Sequence, residues 1–149
     1  MSVAGQGVRA NMLLCDAAQV VGEKLYILGG GWAYAWLQNT EAPISVAAAI
    51  DLVVPWDFAN RNLKLVLRIV TEDFEAVVPE GTEDPLQQEG NLVVGRAPML
   101  RPGTDIHVPI VIPFAPVRLE PGGYVCELLV DSDSVARLGF QVALLNAQP

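Results

Sequence analysis

The sequence predicts an all-β fold: an immunoglobulin-like antiparallel β-sandwich of about eight strands in a single domain. Three observations predict it. Short runs rich in Val, Ile, Leu, Tyr and Trp recur along the chain. Turn-forming clusters of Gly, Pro, Asn, Asp and Ser separate them at fairly regular intervals. Helical periodicity is almost absent, and no period of 20 to 50 residues repeats, so solenoids and propellers are not expected.

In chain order, residues 1–8 are small and polar and read as a flexible arm. Arg9 to Cys15 reads as a strand, Asp16 to Gln19 as a turn or bulge, and Gly22-Glu23 as a turn. Next comes the stretch around which the chain is organised, Lys24-Leu25-Tyr26-Ile27-Leu28-Gly29-Gly30-Gly31-Trp32. Leu25 to Leu28 are β-favouring and apolar and read as a core strand. Gly29, Gly30 and Gly31 lack a Cβ, so the strand can kink or lie close to a neighbour there. Trp32 then adds apolar surface beyond the kink, and a core tryptophan there is expected to be largely buried. A glycine-rich anion loop would need a helix after the glycines. The alternation of Trp32-Ala33-Tyr34-Ala35-Trp36 is strand-like instead.

Ile44 to Val54 is a long apolar stretch with Asp51 inside it, expected to be covered on both faces for part of its length. Pro55-Trp56-Asp57 suits one helical turn. Leu63, Leu65, Leu67 and Ile69 alternate with a mixed set, giving a strand that a turn at Thr71 to Phe74 ends. Pro79 to Gly90 is the most polar segment and reads as a solvated loop before a strand over Asn91 to Ala97. Asp105 to Phe114 contains Pro109 and Pro113, which places it at a sheet edge or a bulge, because proline cannot donate to the ladder. Tyr124 to Val130 turns at Asp131 to Ser134 into a last strand over Val135 to Leu145. Residues 146–149 form a tail.

Bulk composition narrows the function. The 149 residues are 52% hydrophobic and only 17% charged, against a usual charged share of about 25%. The surplus calls for burial on both faces or for a partner. The net charge of −8 and nine singly scattered basic residues argue against nucleic acid and anionic lipid. No apolar run approaches the roughly 20 residues of a membrane helix, and no signal-like start is visible. A cytoplasmic protein with free Cys15 and Cys126 is expected.

Chemistry-bearing patterns are sparse. His107 is the one histidine, and Ser2, Ser45, Ser132 and Ser134 carry no nucleophile-elbow glycines. No catalytic residue and no cofactor are expected. Asp131 and Asp133 lie in an acidic turn that could hold calcium if Asp16 or Glu72-Asp73 converged on it; the same residues are ordinary hairpin formers. Pro121-Gly122-Gly123-Tyr124 with Cys126 two residues on matches the tyrosine corner of sandwiches, in which the hydroxyl bonds back to upstream backbone.

Cys15-Asp16-Ala17-Ala18-Gln19-Val20, the Lys24 to Trp32 strand, Pro55-Trp56 with Asn60-Arg61, the Tyr124 corner and Phe140-Gln141-Val142 resemble a family of short bacterial proteins known as a domain of unknown function. The resemblance implies the sandwich and brings no activity. Where such proteins continue after Glu72-Asp73 with glycine, this chain has Phe74, which argues against a tight turn.

The expectation is a non-enzymatic module that binds a protein partner or itself. A homodimer through the apolar Ile44 to Val54 and Val108 to Ile112 stretches is the simplest form. The alternative is a small-ligand or calcium module at a sandwich end, with Gly29, Gly30, Gly31, Trp32 and Trp56 as candidate binding residues.

Overall fold

The computed structural model describes residues 7–145, so most of the arm and all of the 146–149 tail lie outside the described residues. Nine strands form rather than eight: β1 (Arg9–Val21), β2 (Lys24–Gly30), β3 (Tyr34–Leu37), β4 (Ala47–Val54), β5 (Asn62–Thr71), β6 (Gln87–Val93), β7 (Ile106–Pro113), β8 (Gly122–Val130) and β9 (Asp133–Leu144). They make two packed sheets, in the orders β2-β1-β4-β7 and β3-β9-β8-β5-β6. Neighbouring strands are antiparallel except for β3, which runs parallel to β9.

The core lies between the sheets. β4 is central in the first sheet and sends Ala48, Ile50, Leu52 and Val54 inward. β5 answers with Leu63, Leu65, Leu67 and Ile69, the apolar half of its alternating pattern. Tyr124, Cys126, Leu128 and Val130 line the inner face of β8. The Tyr124 hydroxyl donates to the Glu120 carbonyl at 2.6 Å, so the expected corner forms. Its ring stacks on Phe140, with centroids 5.6 Å apart.

Several boundaries differ from the sequence reading. Asp16 to Gln19 does not turn; β1 runs unbroken for 13 residues, because β4 and β2 in succession supply backbone partners along it. Gln87 to Gly90 is strand rather than loop. These residues pair with Leu65 to Arg68, and their polar side chains suit the outermost strand of the sheet. The turn after Pro55 is a single 3-10 turn, Trp56–Phe58. The tight turn after Glu72-Asp73 forms despite Phe74, whose N–H bonds the Thr71 carbonyl at 2.8 Å.

β7 is an edge strand, as its prolines require. Phe114 N–H bonds Val46 O, so even-numbered residues of β7 face β4 and odd-numbered ones face outward. Pro109 and Pro113 therefore fall on the open side and remove two donors that another chain could pair with.

Candidate interaction surface

The Lys24 to Trp32 stretch is an organising element, but β2 is not a core strand. β4 pairs with β1 over Arg9 to Cys15, and β2 pairs with β1 over Cys15 to Val21. The second half of β1 and all of β2 thus form a two-stranded ribbon, joined by Gly22 and Glu23 at φ values of 55° and 63°. Two positive φ values in a two-residue loop make the turn whose twist suits a hairpin.

The ribbon bends where Asp16 lies opposite Gly29. Gly29 has a φ of 60°. That conformation favours glycine, and a Cβ there would also have to displace the Asp16 carboxylate. Bent in this way, the ribbon folds over the outer face of the first sheet. Ala18, Leu25 and Ile27 pack on buried Cys15, Ala47 and Ala49. These small side chains leave room for a layer above them. That layer covers part of the outer face of β4, where the sequence suggested an open dimer patch; β4 is buried along nearly its whole length.

The opposite ribbon face is bare. Ala17 pairs with Leu28, Gln19 with Tyr26 and Val21 with Lys24, and all six are exposed. Leu28 is 72% exposed and Tyr26 52%. A hollow of about 390 Å³ lies among Ala17, Gln19, Tyr26 and Leu28. Between residues 17 and 28 the charges are Glu23 and Lys24, which cancel, in a chain of net charge −8.

The sequence-derived candidates do not converge. Trp32 carries the chain from the first sheet to the second and is partly buried, packed against the main core. Its ring meets Phe140 edge-on at 5.9 Å, and its buried indole N–H has no partner among the described residues. Trp56 lies past the far end of β4, about 25 Å from the glycines by strand length. Arg96 stacks on it at 4.3 Å and donates to its carbonyl at 2.7 Å. Asp131 and Ser132 form the β8–β9 turn with φ values of 48° and 73°, and the Asp131 carboxylate accepts from the Lys64 N–H at 2.9 Å. Among the described residues no group of three or more His, Cys, Asp or Glu could hold a metal. His107 Nδ1 lies 3.0 Å from Asp51 on the outer face of the first sheet.

Both cysteines are free. Burial, with the charge of Asp16, pushes the Cys15 thiol up, and burial pushes Cys126 up to about 12. Neither is poised as a thiolate nucleophile.

Sequence reading missed two further features. Glu127, on the outer face of β8, is 1% exposed and accepts from Arg68 at 2.6 Å and Arg137 at 2.7 Å. A lone charge between Cys126 and Leu128 was the available signal. Tyr34 and Trp36 stack on each other at 5.3 Å while half exposed, as their i, i+2 spacing on a strand allows.

The model of a family of unknown function, DUF6941, matches residues 11–143. The chain belongs to this family. The match takes in every strand except the ends of β1 and β9. No curated protein matches the chain. Among solved structures, the chain is similar to the Pseudomonas fluorescens alkylpurine DNA glycosylase AlkC bound to DNA containing an abasic site analog, with 14% identity and a TM-score of 0.46. The alignment covers 93% of this chain and 31% of that one, so the chain spans about a third of the glycosylase's length. No helix among the described residues is long and apolar enough to cross a membrane.

Proposed function

We propose that this family member is a non-enzymatic, cytoplasmic protein-interaction module that uses the exposed ribbon face, with a second copy of itself as the simplest partner. The observation that carries this reading is the bare, electroneutral face of Tyr26, Leu28, Val21 and Ala17. A two-stranded ribbon is marginal by itself, and here one of its faces is left without a packing partner. Apolar burial acts at contact, and the local neutrality removes the repulsion that a net charge of −8 would otherwise impose on two copies. A twofold contact reuses one patch and closes.

Two observations support a binding role over catalysis. His107 is engaged by Asp51, and both thiols are pushed away from the reactive range. The Tyr124 corner supports the immunoglobulin-like reading of the sandwich.

Light scattering tests the proposal. The expected mass at tens of micromolar is about twice the 16.0 kDa chain. The doubly substituted Tyr26→Ser, Leu28→Ser chain, altered only at exposed positions, should run as one chain with an unchanged circular dichroism spectrum. A wild-type mass of a single chain at every concentration and salt overturns self-association.

A further inference from the structure

The outer face of the second sheet is low at one end. β8 and β9 send Tyr124, Cys126, Phe140 and Val142 into the core, so Gly123, Val125, Gly139 and Gln141 alternate to the outside. The register sets Tyr34, Gln141 and Gly123 in one row across β3, β9 and β8. Gly139 and Val125 form the next row, and Arg137 with Glu127 the one after. A Cβ on Gly139 would meet nothing nearer than the Tyr124 carbonyl oxygen at 3.9 Å, so the middle row is an open shelf. The rows that bound it are four residues apart on β9, about 13 Å.

Aromatic and polar groups rise on both sides of the shelf. Trp36 stacks on Tyr34 with the planes 8° apart and covers one face of that ring. The other face of Tyr34 looks back along β3, over the level of Gly139. In the same row Glu72 lies across Gly123, where a Cβ would run into its carboxylate, and accepts from the Gln141 side-chain amide at 2.9 Å. Its second oxygen and the Gln141 side-chain carbonyl have no hydrogen-bond partner among the described residues. Across the shelf, Arg137 bonds Glu127 through Nε and lies over Phe74. Its terminal nitrogens have no hydrogen-bond partner among the described residues.

We propose that this shelf binds a neutral pyranose sugar. A pyranose offers an apolar C–H face, which suits the free face of Tyr34, and a rim of hydroxyls that both donate and accept. The two walls select against other occupants. An anion would face the Glu72 carboxylate, a cation would face the Arg137 guanidinium, and an apolar surface would strand both groups. Hydroxyls satisfy both walls, donating to Glu72 and Gln141 and accepting from Arg137. Gly123 and Gln141 hold Glu72 in place before any ligand arrives, which lowers the cost of ordering it. The shelf lies on the other sheet from the ribbon, shares no residue with it and goes beyond the contact proposed above.

The probes are glucose, galactose, mannose, N-acetylglucosamine, maltose, cellobiose and lactose, titrated into the isotope-labelled full chain and followed by NMR. At least one should shift the Gly139 backbone amide, the Gln141 side-chain amide and the Trp36 indole N–H together, with a Kd of about 1 mM. Glucuronate and glucosamine, the charged counterparts of glucose, should bind more weakly than glucose. Gly139→Val puts a side chain into open space on a strand, so the chain should stay folded and binding should weaken about tenfold or more. Glu72→Gln and Tyr34→Ala should each weaken it about tenfold. Should Tyr34→Ala fail to fold, the other two variants carry the test. The inference is overturned if none of these sugars shifts the three signals, if the shifts fall on the ribbon instead, or if a charged sugar binds more tightly than glucose. Unchanged binding by a folded Gly139→Val chain overturns it as well. Ribbon self-association is read separately by mass, so the two readings fail independently.

Discussion

The turn that ends β5 holds Phe74 at a φ of 61°, a conformation that suits glycine and crowds any Cβ. The turn closes because three bonds converge on Thr71: its carbonyl accepts from the Phe74 N–H, its N–H donates to the Glu75 carbonyl at 3.0 Å, and its hydroxyl accepts from the Glu75 N–H at 3.1 Å. The left-handed conformation costs an ordinary residue about 1–2 kcal/mol. The Phe74 ring returns part of that, because the Arg137 guanidinium lies over it at 5.0 Å. At such a half-exposed site the contact contributes about 0.5–1 kcal/mol. The two effects separate in a pair of variants. Phe74→Ala keeps the strain and loses the ring; Phe74→Gly loses both. At most positions the alanine variant is the more stable, but here Phe74→Gly should exceed Phe74→Ala by about 1 kcal/mol in denaturant unfolding. The reverse order would mean that Phe74 is not held left-handed. From sequence, a phenylalanine in a glycine's place argued against the tight turn. Hydrogen bonds to Thr71 and a cation overhead outweighed local preference, and neither is visible in a four-residue window. Tyr124 is the contrary case: its corner was legible because donor and acceptor lie four residues apart.

At the scale of elements, the ribbon is the part of the fold whose stability stands apart. It is held down by Ala18, Leu25 and Ile27 on three small residues, whereas β8 is packed between neighbours on both sides. Local opening should therefore expose Cys15, whose thiol sits under the ribbon and lies 3.5 Å from the Ala47 carbonyl. Cys126 faces the central core and should react only on global unfolding. In thiol labelling of the native chain, Cys15 should react faster than Cys126. Leu25→Ala should speed Cys15 on the order of tenfold and leave Cys126 less affected. Equal rates for the two thiols would mean that the ribbon opens only with the whole domain. The strands themselves were readable from alternation and turn residues, and the glycine kink was readable from Gly29 to Gly31. The side to which the kink sends the ribbon was not. Leu25 to Leu28 look alike whether they enter the core or cover a sheet from outside, and the difference rests on Ala47 and Ala49, more than 15 residues away. The candidate site suffered for the same reason: Trp56 and the glycines are separated by the full length of β4, a distance that composition does not encode.

Over the whole molecule, the bond between strands that matters most for pH is the one around Glu127. Arg68 on β5 and Arg137 on β9 reach its carboxylate from either side, so three adjacent strands of the second sheet share one buried anion. Burial alone would push this carboxyl up. Hydrogen bonds from Ser134, Arg137 and Arg68, together with the charge of Arg68, outweigh burial and hold it below the usual carboxylate range. A carboxyl whose folded value is depressed adds stability that is fully present above its unfolded value, near 4.3, and is lost as pH falls through the folded value. The chain should therefore lose stability on acidification below about pH 4.5, with Glu127 contributing to the slope. Glu127→Gln keeps the shape but removes the charge that both guanidiniums face. The guanidiniums are partly exposed and can turn to water, so the cost at pH 7 should be about 1.5–3 kcal/mol, the range of hydrogen bonds to a charged group, rather than the larger penalty of a fully buried broken pair. The difference between the variant and the wild type should shrink as pH falls below about 4.3, because protonation of the unfolded chain progressively removes from the wild type what the substitution already removed. Urea unfolding at a series of pH values reads this directly. Parallel curves, with the difference between the two chains unchanged from pH 7 to pH 3, would show that folding does not shift the Glu127 carboxyl and that the arginines hold the sheet by packing alone.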